Sequence, residues 1–136
     1  MHLLPCLAML LTVSCQVMAV EHCPTVPAMA NEHIEKYVSS ERGAEYCQYR
    51  QVTTGDLNQD QIDDLAVIFT HEGSCYDDQE TPPGACGNNY EFILMVFLGA
   101  QLEPITPVSV GGKGKRQIES LAIKHGKIIM KTLTYN

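Results

Sequence analysis

Hydrophobic residues near the start of the predicted domain recur with the spacing of an α-helix. Ala30, Ile34 and Val38 follow one another every four residues, so they would form one apolar stripe along a helix. The pattern predicts a helix over Ala28–Ser40. A glycine three residues later would end that helix.

Six later segments have the composition and alternation of β-strands. The most apolar of them, Tyr90–Leu98, shows no polar alternation, which is typical of a central strand covered on both faces. The last two segments flank His125 and Gly126, and the glycine supplies the positive φ that a tight hairpin turn requires. The predicted strands span residues 47–54, 65–70, 90–98, 108–110, 118–124 and 127–135.

These elements together predict an α+β fold with one domain over residues 20–136. The N-terminal helix would pack on a mainly antiparallel sheet of about five strands, and disulfides would brace the domain. The full chain has 136 residues, which fits a single domain of this kind.

Residues 3–20 are almost wholly apolar and carry no ionised side chain. The run is too short and too poorly flanked to be a membrane span. Small residues at its end favour a signal peptide over residues 1–19, cleaved after Ala19. Residues 11–15 also resemble a bacterial lipobox, in which case Cys15 would be lipidated and the protein anchored to the outer membrane. Both alternatives predict a periplasmic or secreted protein, although the start of the chain lacks Lys and Arg.

Cysteine usage agrees with export. Outside the apolar N-terminal run the chain keeps Cys23, Cys47, Cys75 and Cys86. An even number of cysteines in a small exported domain indicates two disulfides. Three pairings are possible. Cys75 with Cys86 would close a single loop, and Cys23 with Cys47 would then tie the N-terminal segment to the sheet.

The formal net charge of −7 is unevenly distributed. Residues 20–103 hold fifteen acidic and three basic side chains, whereas residues 104–136 hold one acidic and six basic side chains. The overall acidity argues against nucleic-acid binding. The basic third could contact an acidic protein partner. Within it, Lys113, Lys115 and Arg116 lie on a glycine-rich turn that could contact an anion or a partner.

An acidic loop is the most informative stretch of the sequence. Oxygen-bearing side chains occur at Asp56, Asn58, Asp60 and Asp64, at the first, third, fifth and ninth positions. Calcium takes six to eight hard oxygen ligands, and the backbone carbonyl of Ile62 at the seventh position could add one. The spacing therefore predicts a calcium-type site, with calcium as the candidate cofactor.

The loop resembles the calcium loops of FG-GAP and VCBS-type repeats, in which an Asp-rich turn leads into a strand. That resemblance implies the ligand set just given, but one copy cannot build a propeller. It is not an EF-hand, because Val67 stands where the bidentate glutamate would be. The family's sixth-position glycine is Gln61 here, and a left-handed conformation at a non-glycine residue costs roughly 1–2 kcal/mol. The wider layout also resembles small exported bacterial proteins, which implies no activity.

No convincing catalytic set accompanies this loop. We therefore expect a non-catalytic binding module of the periplasm or envelope, in which the calcium loop is structural. One candidate role is that of an inhibitor or immunity-like partner of a secreted hydrolase or toxin. The alternatives are a small envelope enzyme that acts on cell-wall material through residues 71–90, and a purely structural envelope protein.

Overall fold

The computed structural model describes residues 23–73, 90–113 and 116–134. The predicted signal segment over residues 1–19, and with it Cys15, lies outside these residues, as do Cys75, Cys86 and Lys115. Within them, no helix is both long and apolar enough to cross a membrane. The elements are α1 (Ala28–Ser40), a 3-10 turn (Cys47–Tyr49), β1 (Gln51–Gly55), β2 (Asp64–Glu72), β3 (Tyr90–Leu98), β4 (Glu103–Pro104), β5 (Val108–Gly112), β6 (Arg116–Lys124) and β7 (Lys127–Thr134).

The first five strands form one antiparallel sheet in the order β1-β2-β3-β4, and β5 also pairs with β3. The predicted combination of one helix with about five antiparallel strands is therefore confirmed at this coarse level. β6 and β7 do not extend the sheet. They form a separate antiparallel hairpin that packs on it.

The two faces of the sheet bury different neighbours, because successive side chains of a strand point to opposite sides. On one face, Leu65, Val67 and Phe69 of β2 pack against α1. On the other face, Ile68 and Phe92 pack against the β6–β7 hairpin. This explains why β2 and β3 lack polar alternation: each is covered by the helix on one side and by the hairpin on the other.

α1 ends at Ser40, and the residues that follow it make contacts that the sequence did not reveal. Arg42 takes the left-handed conformation, with φ 52°, and Gly43 donates its N–H to the carbonyl of Val38. A Cβ on Gly43 would lie 2.2 Å from Nε2 of His71. The glycine is therefore required mainly because the imidazole of His71 packs directly on its backbone.

The predicted strand over residues 47–54 is only partly a strand. Its first residues form the 3-10 turn, in which the N–H of Arg50 bonds to the carbonyl of Cys47. The buried Arg50 guanidinium also forms a two-bond ion pair with Glu45 and donates to Asn31 of α1. These tertiary contacts turn the chain here, and β1 begins only at Gln51.

Cys23 and Cys47 form a disulfide, with 5.1 Å between their Cα atoms. The pairing predicted for these two cysteines is confirmed, and it ties the N-terminal lead-in to the 3-10 turn. A bridge of this kind adds about 2–4 kcal/mol, mainly by restricting the unfolded chain.

Candidate functional site

The acidic loop connects β1 to β2, and its side chains fold back onto its own backbone. The carboxylate of Asp56 accepts the N–H of Asp60 at 3.1 Å and the N–H of Gln61 at 2.9 Å. Oδ1 of Asn58 accepts the same Asp60 N–H at 3.1 Å, and Oδ1 of Asp60 accepts the N–H of Ile62 at 2.8 Å. The first, third and fifth positions therefore converge on one small region.

The loop backbone is left-handed at two non-glycine residues. Gln59 has φ 64° and Gln61 has φ 68°. Gln61 therefore takes the conformation for which the calcium-loop pattern uses glycine, at a cost of about 1–2 kcal/mol. The hydrogen bond from its N–H to Asp56 offsets part of that cost.

Asp64, the predicted ninth-position ligand, is fully buried. Its two carboxylate oxygens accept the N–H of Leu57 at 2.8 Å and the N–H of Gly99 at 2.7 Å. It therefore joins the start of the acidic loop to the turn after β3. In this arrangement Asp64 anchors the loop, whereas Asp56, Asn58 and Asp60 form its more open part.

The first, third and fifth positions of the loop carry the types of oxygen donor that calcium takes. Asp56 and Asp60 supply carboxylates and Asn58 supplies an amide oxygen, while the backbone carbonyl of Ile62 and the carboxylate of Asp64 are the other predicted ligands. The Ile62 side chain is 45% exposed and lies outside the hydrophobic core. Among the described residues, no three His, Cys, Asp or Glu side chains come close enough together to hold a metal ion. A cation here would therefore depend on amide and carbonyl oxygens as well as on carboxylates.

The turn of the hairpin lies against the acidic loop, which the sequence did not indicate. A Cβ on Gly126 would lie 3.2 Å from the carbonyl oxygen of Leu57 and 3.3 Å from Nε2 of Gln59. Residues of both turns line a cavity of about 450 Å³. Its lining residues are Asp56, Gln59, Ile123, His125 and Gly126.

A second polar contact, which is partly buried, lies at the far end of β2. The Tyr46 hydroxyl donates a hydrogen bond to Oε2 of Glu72, whose side chain is fully buried, while Oε1 of Glu72 has no hydrogen-bond partner among the described residues. The hydrogen bond to Glu72 and burial raise the pKa of Tyr46 above its ordinary value of 10.0. The two residues are 26 positions apart, and the Ala44–Glu72 bridge brings them together, so sequence spacing gave no signal.

The predicted basic turn lies between β5 and β6. Lys113 and Arg116 are both exposed at its ends. A Cβ on Gly111 would lie only 2.4 Å from the carbonyl oxygen of Arg116. The glycine therefore permits the backbones of β5 and β6 to approach closely, a packing role that exists independently of any anion.

In comparisons with known proteins, no family model, no curated protein and no solved structure matches the chain.

Proposed function

We propose that this protein is an exported, non-catalytic binding module whose acidic loop is a structural calcium site. The observation that carries the proposal is the conformation of Gln61. A glutamine held at φ 68° in the sixth position is the backbone that a calcium loop of this pattern requires. Asp56, Asn58 and Asp60 converge beside it.

In this proposal Asp56, Asn58, Asp60 and the carbonyl of Ile62 would hold the ion. Bound calcium would supply positive charge to neighbouring carboxylates that otherwise repel one another. Asp64 would keep the loop attached to the sheet through the N–H groups of Leu57 and Gly99. Because the hairpin turn packs on the same loop at Gly126, calcium would also stiffen the contact between loop and hairpin.

Export is supported by the Cys23–Cys47 disulfide, since such bonds persist mainly in oxidising compartments. We infer that the partner is another protein, for example a secreted hydrolase or toxin that this module would neutralise. The sheet, covered by α1 on one side and by the hairpin on the other, supplies a rigid frame for such a contact.

One observation favours the rival proposal of a small envelope enzyme acting on cell-wall material. The Tyr46 hydroxyl and the Glu72 carboxyl form an acid–base pair within hydrogen-bonding reach. Glu72 belongs to the predicted 71–90 segment, of which residues 74–89 lie outside the described part of the chain. Glu72 is nevertheless fully buried, so a substrate would reach it only after the surrounding chain moved. We therefore prefer the binding module.

Calorimetric titration of calcium into the oxidised protein, made from the full chain, tests the structural site. We expect measurable heat and a higher melting temperature, both lost in Asp60→Ala and both retained in Asp63→Ala. Asp63 is an exposed neighbour that is not among the predicted ligands, so it is a matched control. No heat and no change in melting temperature for the unmodified protein would remove calcium from the proposal.

The binding role needs a separate test. A photo-crosslinking amino acid would be placed at exposed positions on α1, on the 3-10 turn and on the hairpin, in cells that produce the protein. A discrete crosslinked protein from one surface supports a binding module. The enzyme would be favoured instead if no surface gives a crosslink and the protein turns over cell-wall fragments in a reaction that Glu72→Gln abolishes.

A further inference from the structure

The β6–β7 hairpin has an inner and an outer face. Ile118, Leu121 and Met130 point inward and pack against the sheet. The side chains that alternate with them on the paired strands point away, and we call them the hairpin outer face. Its members are Ser120, Ala122, Lys124, Lys127, Ile129, Lys131 and Leu133.

Apolar and cationic side chains alternate along the β7 part of this outer face. Ile129 and Leu133 are each 48% exposed, and the exposed Lys127 and Lys131 alternate with them. Lysines on a free strand commonly protect it from unwanted pairing. Two exposed branched aliphatic side chains on the same strand work against that protection. The pattern therefore fits a strand that binds one particular partner better than a strand that only keeps other strands away.

Positive charge on the outer face is only partly compensated. Lys124 and Lys127 lie directly opposite each other across the hairpin, and like charges in that position disfavour strand pairing. Lys131 forms an ion pair with Glu119 at 2.8 Å. Within residues 23–73, 90–113 and 116–134, no carboxylate forms an ion pair with Lys124 or Lys127. An external carboxylate could therefore relieve a repulsion that the described residues leave in place.

One edge of β7 is free of any strand among the described residues. In the part of the chain that the structure describes, β7 pairs only with β6, and every partner of its eight residues lies on that strand. The other edge of β7 therefore presents backbone N–H and C=O groups that an added strand can bond.

We propose that the free edge of β7 and the hairpin outer face bind an extended acidic segment of a partner protein as an added strand. The proposal rests on the proposed function and names its contact surface. On the added strand, carboxylates would lie beside Lys127 and Lys131, and apolar side chains would lie beside Ile129 and Leu133. Because side chains on one face recur every second residue, the segment would alternate acidic and apolar residues on that face.

A polypeptide fits this surface better than a membrane or a nucleic acid does. Only another backbone can bond the edge of β7 along its length.

Peptide titration tests the proposal directly. The probe is an eight-residue peptide, matched to the eight residues of β7, with glutamate and valine alternating on one face and threonine on the other. We expect it to bind the full-length oxidised protein, more weakly at high salt. A peptide with lysine in place of glutamate should not bind. No binding of the acidic peptide would overturn the proposal.

Matched variants locate the contact. Lys127→Glu should weaken peptide binding at least about tenfold, because it places like charges together. Lys36→Glu makes the same change at an exposed position on α1 and should leave binding unchanged. Ile129→Thr should also weaken binding, whereas Ile105→Thr, at a side chain that is 45% exposed, should not. Equal losses in the paired variants would contradict a site on the hairpin.

Backbone methylation separates strand addition from contact through side chains alone. Two acidic peptides would be N-methylated at opposite sets of alternate residues. Because only one set of N–H groups faces β7, one peptide should bind and the other should fail. Equal binding of both, or binding to anionic vesicles in place of the peptide, would overturn strand addition.

The two proposals can fail separately. If cellular crosslinks come from α1 or the 3-10 turn but not from the outer face, the binding module stands and the hairpin surface is wrong. If crosslinks come from no surface, the binding module itself is wrong.

Discussion

Oδ1 of Asp64, the first residue of β2, accepts the backbone N–H of Gly99, 35 residues later in the chain, at 2.7 Å. The second oxygen of the same carboxylate accepts the N–H of Leu57 at 2.8 Å. One buried side chain thus holds the start of the acidic loop and the turn after β3 in a fixed relation. It accepts two partly buried backbone N–H groups.

Asp64→Ala should lower the free energy of unfolding by about 2–4 kcal/mol, because it leaves two amide groups without an acceptor. Chemical denaturation of the oxidised protein measures the loss. Asp63→Ala removes the neighbouring exposed carboxylate and should change stability by less than about 0.5 kcal/mol. Similar losses in the two variants would show that Asp64 does not anchor the loop.

Gln61→Gly should stabilise the folded protein by up to about 1 kcal/mol. Glycine removes the left-handed strain of about 1–2 kcal/mol at φ 68°, but it also increases the entropy of the unfolded chain. The same variant should bind calcium more tightly if the loop is a calcium site. Asp63→Gly is the control, since Asp63 has no positive φ. This variant should be less stable than the unmodified protein. A loss of stability in Gln61→Gly would contradict a strained backbone at this residue.

The helix and the most apolar strands could be predicted from the sequence because their patterns reflect burial. α1 and β3 have the predicted bounds, and the turn at His125 and Gly126 has positive φ at both residues, as a two-residue hairpin turn requires. In each case the local pattern and the tertiary environment favour the same conformation.

The remaining features depend on contacts between distant residues. β4 has only two residues, one of them proline, and it exists because Pro104 and Glu103 lie opposite Phe97 and Leu98. The contact of Gly126 with the acidic loop and the pairing of Tyr46 with Glu72 likewise leave no periodic signal. Even at the acidic loop, spacing indicated the convergence of Asp56, Asn58 and Asp60 but not the anchoring bonds of Asp64.

Gly111→Ala should destabilise the protein by about 1–3 kcal/mol, because its Cβ would meet the backbone of Arg116 at 2.4 Å. Relief of that clash would shift β5 against the sheet or β6 against its hairpin partner. Thermal and chemical denaturation measure the effect. Gly73→Ala is the matched control, since the nearest contact of a Cβ there, among the described residues, is an ordinary 3.7 Å to His71. A neutral Gly111→Ala variant would mean that β5 and β6 do not approach as closely as described.

The Tyr46–Glu72 contact predicts a loss of stability at alkaline pH. The hydrogen bond to Glu72 and burial raise the pKa of Tyr46 in the folded state above its ordinary value of 10.0. A raised pKa means that the folded state holds the phenolic proton more tightly than the unfolded state does. The stabilisation is therefore complete below about pH 10 and is lost as the pH rises through the folded-state pKa.

Unfolding free energies measured between about pH 8 and pH 11, with tyrosinate absorbance followed in parallel, test this. Tyr46→Phe should make stability fall less steeply as the pH rises. A smaller fall should remain, because burial also raises the pKa of Tyr37. Tyr49→Phe removes one hydroxyl from a side chain that is 59% exposed and should leave the decline unchanged. If Tyr46→Phe declines as steeply as the unmodified protein, the hydroxyl does not donate to Glu72, and the acid–base pair that supports the enzyme proposal is lost with it.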